Sequence, residues 1–88
     1  MSDNDFSHFK RALIVGAGAG LSASLARTLA RAGLKVALAA RTTTDLGTLA
    51  QETGAKLFAC DAAKPAEVEK LFSALDGDFG PPDVVVYN

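Results

Sequence analysis

The stretch RALIVGAGAGLSASLARTLARAGLKVALAA, Arg11 to Ala40, decides the fold. It opens on a short apolar run, Arg11 to Val15, that stops at Gly16, which is how a strand buried on both faces reads. Three glycines follow at alternate positions: Gly16, Gly18 and Gly20. Beyond them Leu21, Leu25, Leu29 and Ala32 recur at helical spacing, with Arg27 and Arg31 on another face. Gly33 sits just past the last turn, where a left-handed cap favours glycine. Residues 34–40, LKVALAA, then read as a second strand. Strand, tight turn, amphipathic helix and strand make a β-α-β unit, whose two strands run parallel.

The alternation continues. Thr42 to Asp45 offer N-cap and first-turn residues for a second helix carrying Leu46, Leu49 and Ala50, ended by Gly54. Residues 56–60, KLFAC, read as a third strand. Pro65 suits the first turn of a third helix, where Val68, Leu71, Phe72 and Leu75 keep the i, i+3, i+4, i+7 pattern. Asp76 and Asp78, either side of Gly77, read as a solvated turn. Gly80-Pro81-Pro82 breaks the chain before a last strand, DVVVYN, at residues 83–88. The order β-α-β-α-β-α-β predicts the α/β class: the first portion of a Rossmann-like, doubly wound parallel sheet.

Residues 1–9 read as a polar arm and residues 10–88 as one domain. The fourth strand is expected beside the first. Its β-branched outer edge has only Asp83 to guard it, and finished domains usually cover or charge such an edge. The sequence therefore reads as a Rossmann domain truncated after its fourth strand; a complete small domain closed by dimerisation is the alternative.

Composition narrows the function classes. The 88 residues are 49% hydrophobic and 22% charged, as in globular chains rather than disordered ones. A formal net charge of -1 carries no electrostatic footprint of a nucleic-acid binder. No apolar run approaches the roughly 18 residues of a membrane span, and MSDNDFSHFK is too polar and acidic for a signal peptide. The lone Cys60 suits a reducing compartment, so a cytoplasmic location is expected.

Glycines between a strand and a helix let the chain turn sharply and let backbone N–H groups approach an anionic oxygen. The triphosphate loop G-x-x-x-x-G-K-[ST] fails, because no lysine lies between Arg11 and Lys35. The fingerprint G-x-G-x-x-G meets Leu21 at its third glycine when started from Gly16. Started from Gly18 it runs through Gly20 to Ala23, but two residues beyond the strand. A methyltransferase-type G-x-G-x-G is satisfied, although Ile14 and Ala40 stand where such loops carry acids.

A fourth spacing, G-x-x-x-G-x-G, is met by Gly16 and Gly20, with Ser22 in the last place. With Asp61 after the third strand and Asp83-Val84-Val85-Val86-Tyr87-Asn88 at the fourth, the chain resembles the short-chain dehydrogenase/reductases over nearly its whole length. The last segment is similar to the family's D-x-L-V-N-N-A-G, with Tyr87 at the first Asn and Asn88 at the second. The resemblance implies a bound nicotinamide dinucleotide. Gly16, Gly18, Ala19, Gly20 and Leu21 would hold it at the glycine turn, Arg41 after the second strand, Asp61 and Ala62 at the adenine ring, and Asn88 after the fourth strand.

NAD-binding folds usually place an acid about twenty residues past the glycines, for the ribose 2′-OH. That place holds Ala40, and Arg41 follows it. A guanidinium fork suits a phosphate monoester, so NADP(H) is expected in preference to NAD(H). The family's other basic position is Ala19, which leaves Arg41 as the single residue for this preference.

His8 lies in the polar arm without a partner carboxylate, Cys60 reads as a core or pocket-lining thiol, and no metal-ligand cluster stands out. No Y-x-x-x-K occurs, so Tyr87 is not the family's catalytic tyrosine and no catalytic residue is expected within the 88. The resemblance implies an oxidoreductase passing hydride between nicotinamide and a small carbonyl or alcohol substrate, with the catalytic Tyr and Lys beyond residue 88. It also carries over a homodimer or homotetramer for the whole protein. A non-catalytic NAD(P)-binding regulatory module is the alternative, and an S-adenosylmethionine-dependent methyltransferase the third.

Overall fold

Among the described residues four strands form one parallel sheet: β1 (Arg11–Val15), β2 (Lys35–Ala40), β3 (Lys56–Ala59) and β4 (Val84–Tyr87), in the order β3-β2-β1-β4. The structure, a computed structural model, describes residues 9–16 and 21–87, the side chains of Leu21 and Asp45 excepted. Each connection holds a helix: α1 (Leu21–Arg31), α2 (Gly47–Thr53) and α3 (Pro65–Asp78). As expected, β4 lies beside β1, with Leu13 opposite Ala37 on one side and Val85 on the other.

Side chains alternate across the sheet, so each buried strand feeds two cores. Ala12, Ile14, Val36 and Leu38 face α1 and α2, where they meet Ala26, Leu29 and Leu49. Leu13, Val15, Ala37 and Ala39 face α3, where they meet Leu71 and Leu75. Leu13, Ile14, Leu38 and Leu75 are all 0% exposed. Full burial of such a side chain contributes about 1.5–3 kcal/mol. The two faces are covered unequally at β4. Val84 and Val86 pack on the α1/α2 side, whereas Val85 and Tyr87 are exposed.

Chain direction creates the functional end. From β1 the chain moves outward to β2 and β3, then α3 carries it back across the opposite face to β4. The order of strands therefore reverses between β1 and β4, and ligands of such sheets bind at the carboxyl ends of the strands beside this point.

The helix ends explain the boundaries. Gly33, at φ 94°, donates to Ala30 O, and Leu34 N–H donates to Leu29 O. This paired arrangement satisfies two orphan carbonyls and brings buried Leu29 and Leu34 together. Leu34 therefore belongs to the cap, and β2 starts at Lys35. Neither Thr43 before the turn nor Leu46 before α2 makes a side-chain capping bond. Thr43 has helical φ and ψ and no side-chain capping bond, where a capping residue would be extended. A 3₁₀ turn at Thr44–Leu46 leads into α2 instead.

Asp76, Gly77 and Asp78 form the last turn of α3, not a solvated loop. Phe79 and Gly80 N–H groups both donate to Leu75 O, at 2.8 and 2.5 Å, so the stop falls at Gly80 and the two prolines. Asp83 also differs from expectation. Its Oδ2 accepts from the N–H groups of Lys10 and Arg11, at 2.6 and 3.0 Å, so it ties β4 inward to β1. Those bonds hold its carboxyl below the usual range. Beside it Arg11 Nε donates to Phe79 O at 2.9 Å and passes over Gly80, whose φ is 102°.

Candidate functional site

The carboxyl ends of β1, β2 and β3 surround a cavity of about 270 Å³. It is lined by Gly16 after β1, by Ala40 and Arg41 at the end of β2, and by Cys60 to Ala63 after β3. This volume lies just below the usual range of ligand cavities, roughly 300–1,000 Å³. A hollow of equal size lies between α1 and α2, over Arg27 and Glu52. There Arg27 Nε is already bonded to Glu52 Oε2 at 2.9 Å, and both side chains are partly exposed. The strand-end cavity offers a ligand more.

Each wall has a local cause. Gly16 N–H makes the last rung of β1, donating to Ala39 O at 2.8 Å, and its φ of 84° turns the chain out of the sheet. Its N–H is therefore spent on the ladder. What the residue contributes is the turn and a wall without a Cβ. Arg41 follows the end of β2 and is exposed, the single cation among the described lining residues.

On the third wall Cys60 N–H extends the β2–β3 ladder to Ala40 O at 2.9 Å, one residue past the strand. Its side chain is 3% exposed. Burial pushes the Cys60 thiol up, and the Glu67 and Asp61 carboxylates push the same way. That agrees with a lining thiol and disfavours a nucleophile, which needs its thiolate. Asp61 is half-buried; its Oδ1 accepts from Ala63 N–H at 3.0 Å, folding the loop into an Asx turn. Glu67 Oε1 accepts from Asp61 N–H at 2.8 Å.

Gly16, Arg41, Asp61 and Ala62, far apart in sequence, thus share one cavity. Gly18, Ala19, Gly20 and Asn88 lie outside the described residues, as does His8; for Leu21 only the backbone is described, at the first position of α1. Ser22 stands in the first turn of α1 and is 1% exposed, a buried polar residue in the family's third glycine place. Tyr87 ends β4 and is 63% exposed. Among the described residues no group of three His, Cys, Asp or Glu could hold a metal ion, and no helix is long and apolar enough to cross a membrane. Sequence reasoning missed Glu67. The available signal was an acid at the third position of a helix that Pro65 starts, where it can reach back to a free N–H.

Chemically, the cavity pairs a guanidinium for an anionic oxygen with a carboxylate for amino or hydroxyl donors, at the end of a parallel sheet. Comparisons with known proteins agree. An oxidoreductase of Mycobacterium tuberculosis described as uncharacterized is 37% identical over 84 residues, which are 90% of this chain and 32% of that protein. A crystal structure of an NADH-dependent reductase complexed with NAD superposes with a TM-score of 0.81 at 32% identity, over 90% of this chain and 35% of that one. A metagenomic short-chain oxidoreductase in complex with NADP does so with a TM-score of 0.80 at 27% identity, over 86% and 37%. The chain thus spans about a third of the length of these relatives. None of them supports the methyltransferase or the regulatory reading. The short chain dehydrogenase family model matches residues 10–88, and with every strand of the sheet inside that match, the chain belongs to this family.

Proposed function

We propose that this chain is the cofactor-binding half of an NADP(H)-dependent oxidoreductase acting on a small carbonyl or alcohol substrate. The observation that carries this reading is the cavity at the strand ends, where Arg41 stands beside Gly16 and Asp61 and the preceding Ala40 carries no acid. The donor set fits the group. Arg41 would hold the 2′-phosphate, Asp61 and Ala62 the adenine, the turn from Gly16 through Gly18, Ala19 and Gly20 to Leu21 the pyrophosphate, and Asn88 the far side of the cofactor. When bound, the nicotinamide supplies or accepts the hydride.

Residues 10–88 would form the nucleotide-binding unit, residues 1–9 a polar arm, and the Tyr and Lys that move the proton would come from beyond residue 88. The share of its relatives that this chain spans supports that division. The whole protein would work in the cytoplasm as a homodimer or homotetramer, without nucleic acid or membrane.

The test is Arg41→Ala in the full-length protein, titrated with NADPH and NADH. Loss of charge-assisted hydrogen bonds should weaken NADPH binding by about 1–3 kcal/mol, about five- to 150-fold, and leave NADH nearly unchanged. Equal losses for both cofactors would sink the NADP(H) assignment, and no binding of either would sink the function.

A further inference from the structure

The loop that walls the cavity after β3 is held from outside itself. Cys60 N–H is the last on that side to reach the ladder, and the next donor, Asp61 N–H, goes to Glu67 Oε1 on α3 at 2.8 Å. Asp61 in turn anchors the loop twice: its Oδ1 accepts from Ala63 N–H and its C=O accepts from Lys64 N–H, both at 3.0 Å. Glu67 therefore fastens the one residue on which the loop's other bonds converge.

A glutamate at the third helical position ordinarily reaches back to the N–H of the capping residue. Here the cap is Lys64, and Glu67 reaches three residues past it to Asp61, two residues beyond the strand. Its other oxygen lies 3.8 Å from Lys64 Nζ. The helix start favours the negative charge. One carboxylate thus joins the first turn of α3 to the end of β3, across the loop that faces the cavity.

We propose that Glu67 is a positioning residue for cofactor binding: by holding Asp61 N–H it sets the direction in which the Asp61 carboxylate faces the adenosine half of the dinucleotide. The inference rests on the cofactor reading of the cavity. Without this bond the loop keeps its internal turn but loses its tether to α3, so binding must order it again. A site ordered beforehand does not bear that cost.

The test uses the full-length protein with calorimetric titration of NADPH and of adenosine 2′,5′-bisphosphate, a probe of the adenosine half. Glu67→Ala should weaken both by about tenfold, the loss of one partly buried hydrogen bond. Glu67→Gln, whose amide oxygen still accepts from Asp61 N–H, should stay within about threefold of wild type. In an Asp61→Ala background Glu67→Ala should have little further effect, because the two act as one unit. Should Glu67→Ala not fold, Glu67→Asp, one methylene too short, takes its place with the same expectation. The inference is overturned if the Gln variant is as weak as the Ala variant, or if the two losses add fully in the double variant. If wild type binds neither probe, the cofactor reading itself fails. If wild type binds and Glu67→Ala binds equally well, the positioning role alone fails.

Discussion

Gly80→Ala separates two costs that the fold places at one residue. Gly80 has a φ of 102°, and a Cβ built there would lie 2.6 Å from Arg11 Nε and 2.9 Å from its Cζ. Gly33 has nearly the same backbone, φ 94°, with nothing within 4 Å of such a Cβ. For Gly33→Ala only backbone strain counts, roughly 1–2 kcal/mol. The smaller entropy of the unfolded chain offsets about 0.4–1 kcal/mol of it, leaving a loss of about 1 kcal/mol. For Gly80→Ala the Arg11 side chain must also move, and it is pinned by its bond to Phe79 O. Giving up that partly buried bond adds about 1 kcal/mol, so the total is about 2 kcal/mol. Urea denaturation of the single variants, and of Gly80→Ala in an Arg11→Ala background, measures both terms. In that background the Gly80 cost should fall to about that of Gly33. Arg11 opens β1 and Gly80 lies before the start of β4, both on the side of the sheet away from the strand-end cavity, so NADPH affinity should not change. Equal costs at Gly80 and Gly33, or a Gly80 cost that ignores Arg11, would refute the reasoning.

Asp83 makes the acid side of the stability profile predictable. Its carboxyl is held low first by the bond from Lys10 N–H and then by that from Arg11 N–H. A group whose pKa is lower folded than unfolded lends stability above the unfolded value and loses it as pH falls through the folded one. Wild type should weaken on acidification from about pH 4 downward. Asp83→Asn should be less stable at neutral pH and flatter over that acid range; superimposable melting profiles would count against the clamp. Cys60, buried and with its thiol pushed up, should react with iodoacetamide at pH 8 at least about tenfold more slowly in the native chain than in urea. Equal rates would show an exposed thiol.

Strand and helix order was legible because each strand is a short apolar run between turn residues and each helix keeps its period. What was not legible depended on bonds between distant residues. Asp76-Gly77-Asp78 has the composition of a turn, yet Leu75 O collects two N–H donors from beyond it and carries the helix through. Asp83 looked like a guard on an open edge, and no local rule shows that its partners are Lys10 and Arg11, 73 and 72 residues earlier. For the site, the residue types at the strand ends were readable, since parallel strands bring their carboxyl ends together. The support from Glu67 was not, because it needs the distance between a helix start and a strand end.

The proposed reading also says where a choice between cofactors would lie. One structural neighbour holds NAD and another NADP, and both share this chain's sheet with TM-scores of 0.81 and 0.80, so the fold accommodates either. Under the proposed reading the choice would fall to the residues that end β2. Ala40 is 6% exposed and belongs to the core under α1 and α2 while also touching the cavity. An acid there would be desolvated, a cost of a few kcal/mol unless ligand hydroxyls donate to it. Alanine avoids that cost and removes the carboxylate that would repel a phosphate. Arg41, one step further out, is exposed at the cavity. Under the proposed NADP(H) reading, a buried alanine that leaves out the acid and an exposed arginine that supplies the charge would together favour the extra phosphate, with Arg41 as the single cation that carries the preference.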